Sequence, residues 1–182
     1  YVTYNGNIGL SQNMDMLLSV AEELKTSNSD IHFVLVGTGV YLDEVKRMVA
    51  ERNIDNVHIL PFQPYEDISH VFLGDASLVI SKPGTGSASV PSKTWSIMSA
   101  SRPVLANFDE NELKSILEDN SCGIFTKAGD KEEFKKSILT LYLNRELCKE
   151  YGKNGRQFVL NNLTREVGTQ KYVDVIKSVV KD

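Results

Sequence analysis
A chain of 182 residues has the length of one ordinary domain, and 41% apolar with 24% charged residues buries a core without disulfide or metal staples. The net charge of −4 excludes the general basic field that holds nucleic acid, while leaving room for local basic patches. No apolar run reaches the ~20 residues that cross a bilayer, no signal peptide precedes the first apolar stretch, and Cys122 and Cys148 stand far apart without metal-type spacing. These features predict a cytoplasmic protein with reduced thiols. The abrupt opening on Tyr1-Val2-Thr3-Tyr4 reads as a piece of a longer chain.

In chain order, residues 2–4 predict a strand, followed by a polar glycine-bearing turn at 5–9. Met14, Leu17, Leu18, Ala21 and Leu24 have helical spacing over 14–25, with Ser11 or Asn13 as the cap. Residues 31–36 predict a β-branched strand closed by Gly37-Thr38-Gly39. A helix over 41–51, a strand over 57–60 and a short helix over 65–72 follow. Then come a nearly all-apolar strand at 77–81, a helix at 92–100 and a strand at 104–106. A helix at 110–118, a strand at 123–125 and a helix at 131–144 complete the alternation. The remainder, 145–180, reads as helix with one break near 161–164. Strands that alternate with helices and read as continuous apolar runs predict a parallel sheet covered on both faces. Right-handed crossovers make it doubly wound, an α/β Rossmann-like domain with ligands at the carboxyl ends of its strands.

Four loops at such strand ends carry the candidate chemistry. Gly6-Asn7-Ile8-Gly9 reads either as a plain tight turn or as backbone brought close to a ligand ahead of a helix amino terminus. Gly37-Thr38-Gly39 reads either as a turn or as a floor for sugar or phosphate. In Leu60-Pro61-Phe62-Gln63-Pro64, backbone groups at Pro61 and Phe62 suit the edge of a base, or Phe62 is ordinary core packing. The fourth loop runs from Ser81 through Lys82, Gly84, Thr85 and Gly86 to Pro91, Ser92, Lys93 and Thr94. Glycines, hydroxyls and two lysines directly before a helix suit a diphosphate, although the P-loop pattern is missing. Its bland alternative is a surface loop with solvated lysines. His32, His58 and His70 have no metal-ligand spacing, and no nucleophile elbow is present.

Over essentially its whole length the chain resembles the donor-binding domain of family-4 retaining glycosyltransferases, one half of the two-Rossmann-domain GT-B fold. The resemblance rests on Tyr4-Asn5-Gly6-Asn7-Ile8-Gly9-Leu10-Ser11-Gln12, on Phe33-Val34-Leu35-Val36-Gly37-Thr38-Gly39 and on Val57-His58-Ile59-Leu60-Pro61-Phe62. It continues in Gly74-Asp75-Ala76-Ser77-Leu78-Val79-Ile80-Ser81, and is most specific from Val90-Pro91-Ser92-Lys93-Thr94 through Ala100-Ser101-Arg102-Pro103-Val104. This last stretch looks like the branch that builds capsule, exopolysaccharide or O-antigen units, including L-fucosamine-type transferases.

The resemblance implies a nucleoside-diphosphate-sugar donor, with uridine favoured, and no metal or other cofactor. It implies an acceptor site on an amino-terminal domain absent from this chain, a lipid-linked saccharide as acceptor, and no transfer by this half alone. Asn7 and Gln12 stand where the family commonly has an Arg and a Lys. Ala88 and Ser96 stand where it has two glutamates. Lys93, with Lys82, is then expected to neutralise the diphosphate, and Thr94 or Ser96 to bond the ribose. The lost acids keep two other readings open: a non-enzymatic nucleotide- or partner-binding module, and half of a UDP-sugar epimerase. The carboxy-terminal helices are expected to cross onto the absent domain, leaving Phe158, Val159, Tyr172 and Ile176 exposed.

Overall fold
The computed structural model describes residues 1–86 and 88–180. Six strands, β1 (Val2–Asn7), β2 (Phe33–Thr38), β3 (Val57–Leu60), β4 (Ala76–Ile80), β5 (Val104–Phe108) and β6 (Gly123–Lys127), form one sheet. Every pairing is parallel and the order is β3-β2-β1-β4-β5-β6. The chain winds outward from β1 to β3, then returns to place β4 on the other side of β1. That reversal is a topological switch point.

Helices α1 (Met14–Ser27), α2 (Leu42–Glu51) and α6 (Lys131–Leu143) cover one face. Their buried side chains, Leu17, Leu24, Val45, Phe134 and Ile138 among them, pack on Tyr4, Phe33, Leu35, Leu78 and Leu105. The other face holds the short α3 (Ile68–Val71), α4 (Lys93–Ser99) and α5 (Glu112–Asp119). There Ile97, Met98, Leu113 and Leu117 pack on Val79, Val104, Ala106 and Phe108. Every residue of β4 and β5 is buried, as central strands covered on both faces must be. Helix α7 (Arg145–Asn162) lies along α4, and α8 (Arg165–Val179) follows it with no buried side chain.

Most strands run further toward their carboxyl ends than their apolar residues announce. β1 continues through Gly6 and Asn7, which pair with Gly37 and Thr38 of β2, so the two glycine loops are part of the ladder at this point, with Gly6 at φ 128° and Gly37 at φ 151°. Glycine is required there by close approach: a Cβ on Gly37 falls 2.0 Å from the Gly6 carbonyl oxygen. Asn13 stands at the start of α1 but is left-handed, with φ 45° and no side-chain cap bond. By contrast Asn111, Asp130, Asn144 and Thr164 each accept a backbone N–H and cap α5, α6, α7 and α8. The sequence places the 65–72 helix correctly in outline, but it divides into a 3-10 turn at Tyr65–Asp67 and α3.

Candidate functional site
Just outside the carboxyl ends of β1 and β4 lies a cavity of about 130 Å³, lined by Ser11, Gln12, Ser81, Thr85, Lys93 and Phe108 among others. The first and fourth predicted loops therefore meet. The Lys82 amide donates to the Ser11 carbonyl at 2.7 Å, and the Thr85 hydroxyl reaches the same oxygen at 3.3 Å. Within the first loop, Gln12 Oε1 accepts the Gly9 amide at 3.0 Å while its Nε2 donates to Ser11 Oγ at 2.9 Å. Asn7 and Gln12 close around Gly9, where a Cβ comes within 2.7 Å of both side chains.

Lys93 opens α4 and points its ammonium back over β1. Nζ lies 4.0 Å from the centroid of the buried Tyr4 ring, and it leaves only 3.0 Å to a Cβ placed on Gly6. Among the described residues no carboxylate pairs with it, and desolvation pushes its pKa down to about 8. The aromatic face compensates part of that cost. In the same cavity, Ser81 Oγ is buried without a hydrogen-bond partner among the described residues. Charge and hydroxyl left unsatisfied in one cavity are costly to stability, and such costs concentrate at functional sites.

The remaining expected residues divide. Lys82 also reaches the site edge, with Nζ 4.0 Å from Asp15 and 5.7 Å from the Tyr41 ring, so its charge is partly compensated. The Gly84 and Gly86 amides are committed to the Asp109 carboxylate at 2.9 and 2.7 Å. These bonds hold Asp109 below the usual carboxylate range. A diphosphate reaching those amides has to displace an internal anion. Pro91 lines the cavity and Ser92 is exposed. Thr94 is 0% exposed, and its Oγ1 has no hydrogen-bond partner among the described residues. Ser96, one turn beyond Lys93, is exposed. Gly37, Thr38, Pro61 and Phe62 line a separate open hollow of about 550 Å³ at the ends of β2 and β3. Phe62 is 70% exposed there, which removes core packing as its role.

Sequence reasoning missed three participants. Asp109 follows β5 at the same sheet edge, and its signal lay in that position after a strand. Tyr4 read as core, and Ser11 as a helix cap. His32 and His58 also meet, stacked with Nδ1 and Nε2 3.1 Å apart, but at the sheet's far side from Lys93 and with no third metal ligand among the described residues.

A doubly wound parallel sheet with an open polar edge at its switch point is the class of α/β domain that takes ligands beyond its strand ends. The chain belongs to the family of glycosyl transferases group 1, which residues 1–158 match. It is 23% identical over 171 residues to the poly(ribitol-phosphate) alpha-N-acetylglucosaminyltransferase of Staphylococcus aureus (strain COL), covering 92% of this chain and 33% of that protein. Among solved structures it is similar to HepE of Anabaena in complex with UDP, with TM-score 0.83, 15% identity, and 98% of this chain and 48% of that chain covered. It is also similar to the C-terminal domain of the group 1 protein LpcC of Francisella tularensis, with TM-score 0.73, 16% identity, and 90% and 86% covered. The curated relatives are longer, and the chain spans 24% to 44% of their lengths. No helix among the described residues is long and apolar enough to cross a membrane.

Proposed function
We propose that the chain is the nucleotide-sugar-binding, carboxy-terminal half of a glycosyltransferase that transfers a sugar with retention in cell-surface polysaccharide synthesis. The observation that carries this reading is Lys93: an uncompensated ammonium in the switch-point cavity, shared with a Ser81 hydroxyl that has no partner among the described residues. A leaving nucleoside diphosphate supplies the counter-charge that the cavity lacks. Charge growing on that diphosphate as the anomeric bond breaks is stabilised by a preplaced cation in a water-poor site. Lys82 adds a second cation at the rim, and the exposed Ser96, one turn beyond Lys93, would bond the ribose. Pro61 and Phe62 offer an exposed edge for a base, and the UDP complex of HepE supports uridine.

The match to an isolated C-terminal domain supports the assignment to that half. An amino-terminal domain would supply the acceptor site for a lipid-linked saccharide and close over the donor. The exposed apolar residues of α8 suit contact with it. An aminosugar of the L-fucosamine class fits the reading, and the reading takes the step without a metal. Titration calorimetry with UDP tests it. Wild type is expected to bind saturably, with affinity falling roughly tenfold or more in Lys93→Ala, the worth of one charged hydrogen bond. Saturable binding equal in both proteins removes the role given to Lys93. Absence of binding to both chains overturns the donor-domain reading for this half.

A further inference from the structure
The chain's net charge is −4, yet five cations converge on one cleft. Arg102, Arg145, Lys149, Lys153 and Arg156 line a hollow of about 550 Å³ together with a single carboxylate, Asp75. Asp75 precedes β4, and Pro103, also in the lining, precedes β5, so the cleft lies at the amino-terminal edge of the sheet, opposite Lys93. The four cations from α7 fall at i, i+4, i+8 and i+11, one stripe of that helix.

Compensation inside the cleft is incomplete. Asp75 pairs with Arg145, and Lys149 pairs with Glu146 at 2.7 Å. Arg102, Lys153 and Arg156 form no ion pair among the described residues. Arg102 Nε donates to the Phe72 carbonyl at 2.8 Å and Arg156 donates to the Ser99 carbonyl. Neutral oxygens thus anchor both guanidiniums without cancelling their charge, leaving their other N–H groups for a ligand. Like charges held together without counter-ions repel, and an anion relieves that repulsion.

We infer that this cleft is a binding site for a compact phosphate group, separate from the donor edge. Guanidinium forks match phosphate oxygens in geometry as well as charge. No aromatic side chain lines the cleft, so it offers no stacking platform for nucleic-acid bases. A phosphate of this kind comes either as a free anion or as a phospholipid headgroup.

The test uses two probes and three variants. Inorganic pyrophosphate is titrated calorimetrically, and vesicles of phosphatidylglycerol are compared with vesicles of phosphatidylcholine by co-sedimentation. The double variant Lys153→Ser/Arg156→Gln removes two cleft cations. Lys153→Glu changes an exposed side chain without touching the Ser99 bond, and keeps the test valid if the double variant loses stability. Lys93→Ala reports on the donor edge. The expected result is binding to one probe that is still present in Lys93→Ala and that the cleft variants weaken by at least about tenfold, with loss at raised salt. Binding to pyrophosphate alone assigns a free phosphate, and binding to anionic vesicles assigns a headgroup. Binding to neither, or binding that folded cleft variants retain in full, overturns the inference.

Discussion

At the scale of single residues, Lys93 is a largely buried ammonium with no carboxylate partner among the described residues. Its ammonium is partly desolvated over the Tyr4 ring, and burial pushes its pKa down to about 8. In the unfolded chain the same lysine titrates near 10.4. Below pH 8 both states hold the proton, and the folded state bears the whole cost of desolvating the charge. As pH rises from about 8 to 10.4, the folded protein releases the proton first and that cost is relieved. Lys93→Met should therefore raise Tm at pH 6–7, with the advantage over wild type shrinking between pH 8 and 10. Thermal unfolding across that range checks the sign, and a Tm lowered at pH 6 contradicts the account. Lys93 was legible in the sequence as part of a Pro-Ser-Lys element before a helix. Its setting on Tyr4 and the anchoring of the Gly84 and Gly86 amides by Asp109 were not, because tertiary contacts between distant segments leave no local pattern.

At the scale of elements, glycine has opposite meanings in two neighbouring helices. In α7, a Cβ on Gly152 falls 2.1 Å from the Ser101 carbonyl oxygen, and one on Gly155 lies 3.2 Å from Met98. These glycines let α7 lie against α4 and its following turn, where Trp95 stacks on Phe158 with centroids 6.3 Å apart. In α8 a Cβ on Gly168 meets nothing within 4 Å. Gly168→Ala is expected to stabilise by up to about 1 kcal/mol through helix propensity. Gly152→Ala should lower Tm by roughly 2–4 °C or more despite the same propensity gain, because backbone must shift. Calorimetric melting of both variants checks the pair, and equal shifts contradict the packing argument. Helix positions were readable from spacing, whereas the one cap expected, Ser11 or Asn13 for α1, makes no side-chain cap bond and the caps of α5 to α8 were not anticipated. Several strand ends were not readable either. Asn107 and Thr126 look like loop residues, yet their strands continue to Phe108 and Lys127 with Asn107 Nδ2 bonded to Thr126 Oγ1 at 3.0 Å. Polar side chains there satisfy one another inside the sheet, which periodicity does not register.

At the scale of the whole molecule, the two edges of the sheet have different characters. The carboxyl edge gathers Lys93, Ser81, Gln12 and the open Phe62 hollow, while the amino edge holds the arginine- and lysine-lined cleft. The parallel architecture followed from alternating elements and apolar strands. The expected exposed patch at the carboxy terminus was half right. Phe158 and Val159 pack against the core beside α4, whereas Tyr172 and Ile176 are 76% and 57% exposed on α8. The difference lies in the α7 glycines, which admit one helix to the core and leave the next outside.

The central claim is that nucleotide binds at the switch-point edge. Backbone amide chemical shifts recorded during titration with UDP test it most directly. The account predicts saturable changes at Gly9, Gln12, Ser81, Lys82, Thr85 and Lys93, and at Thr38 and Phe62 in the adjoining hollow. Changes confined to α7 around Lys153 and Arg156, or no changes at all, would contradict it.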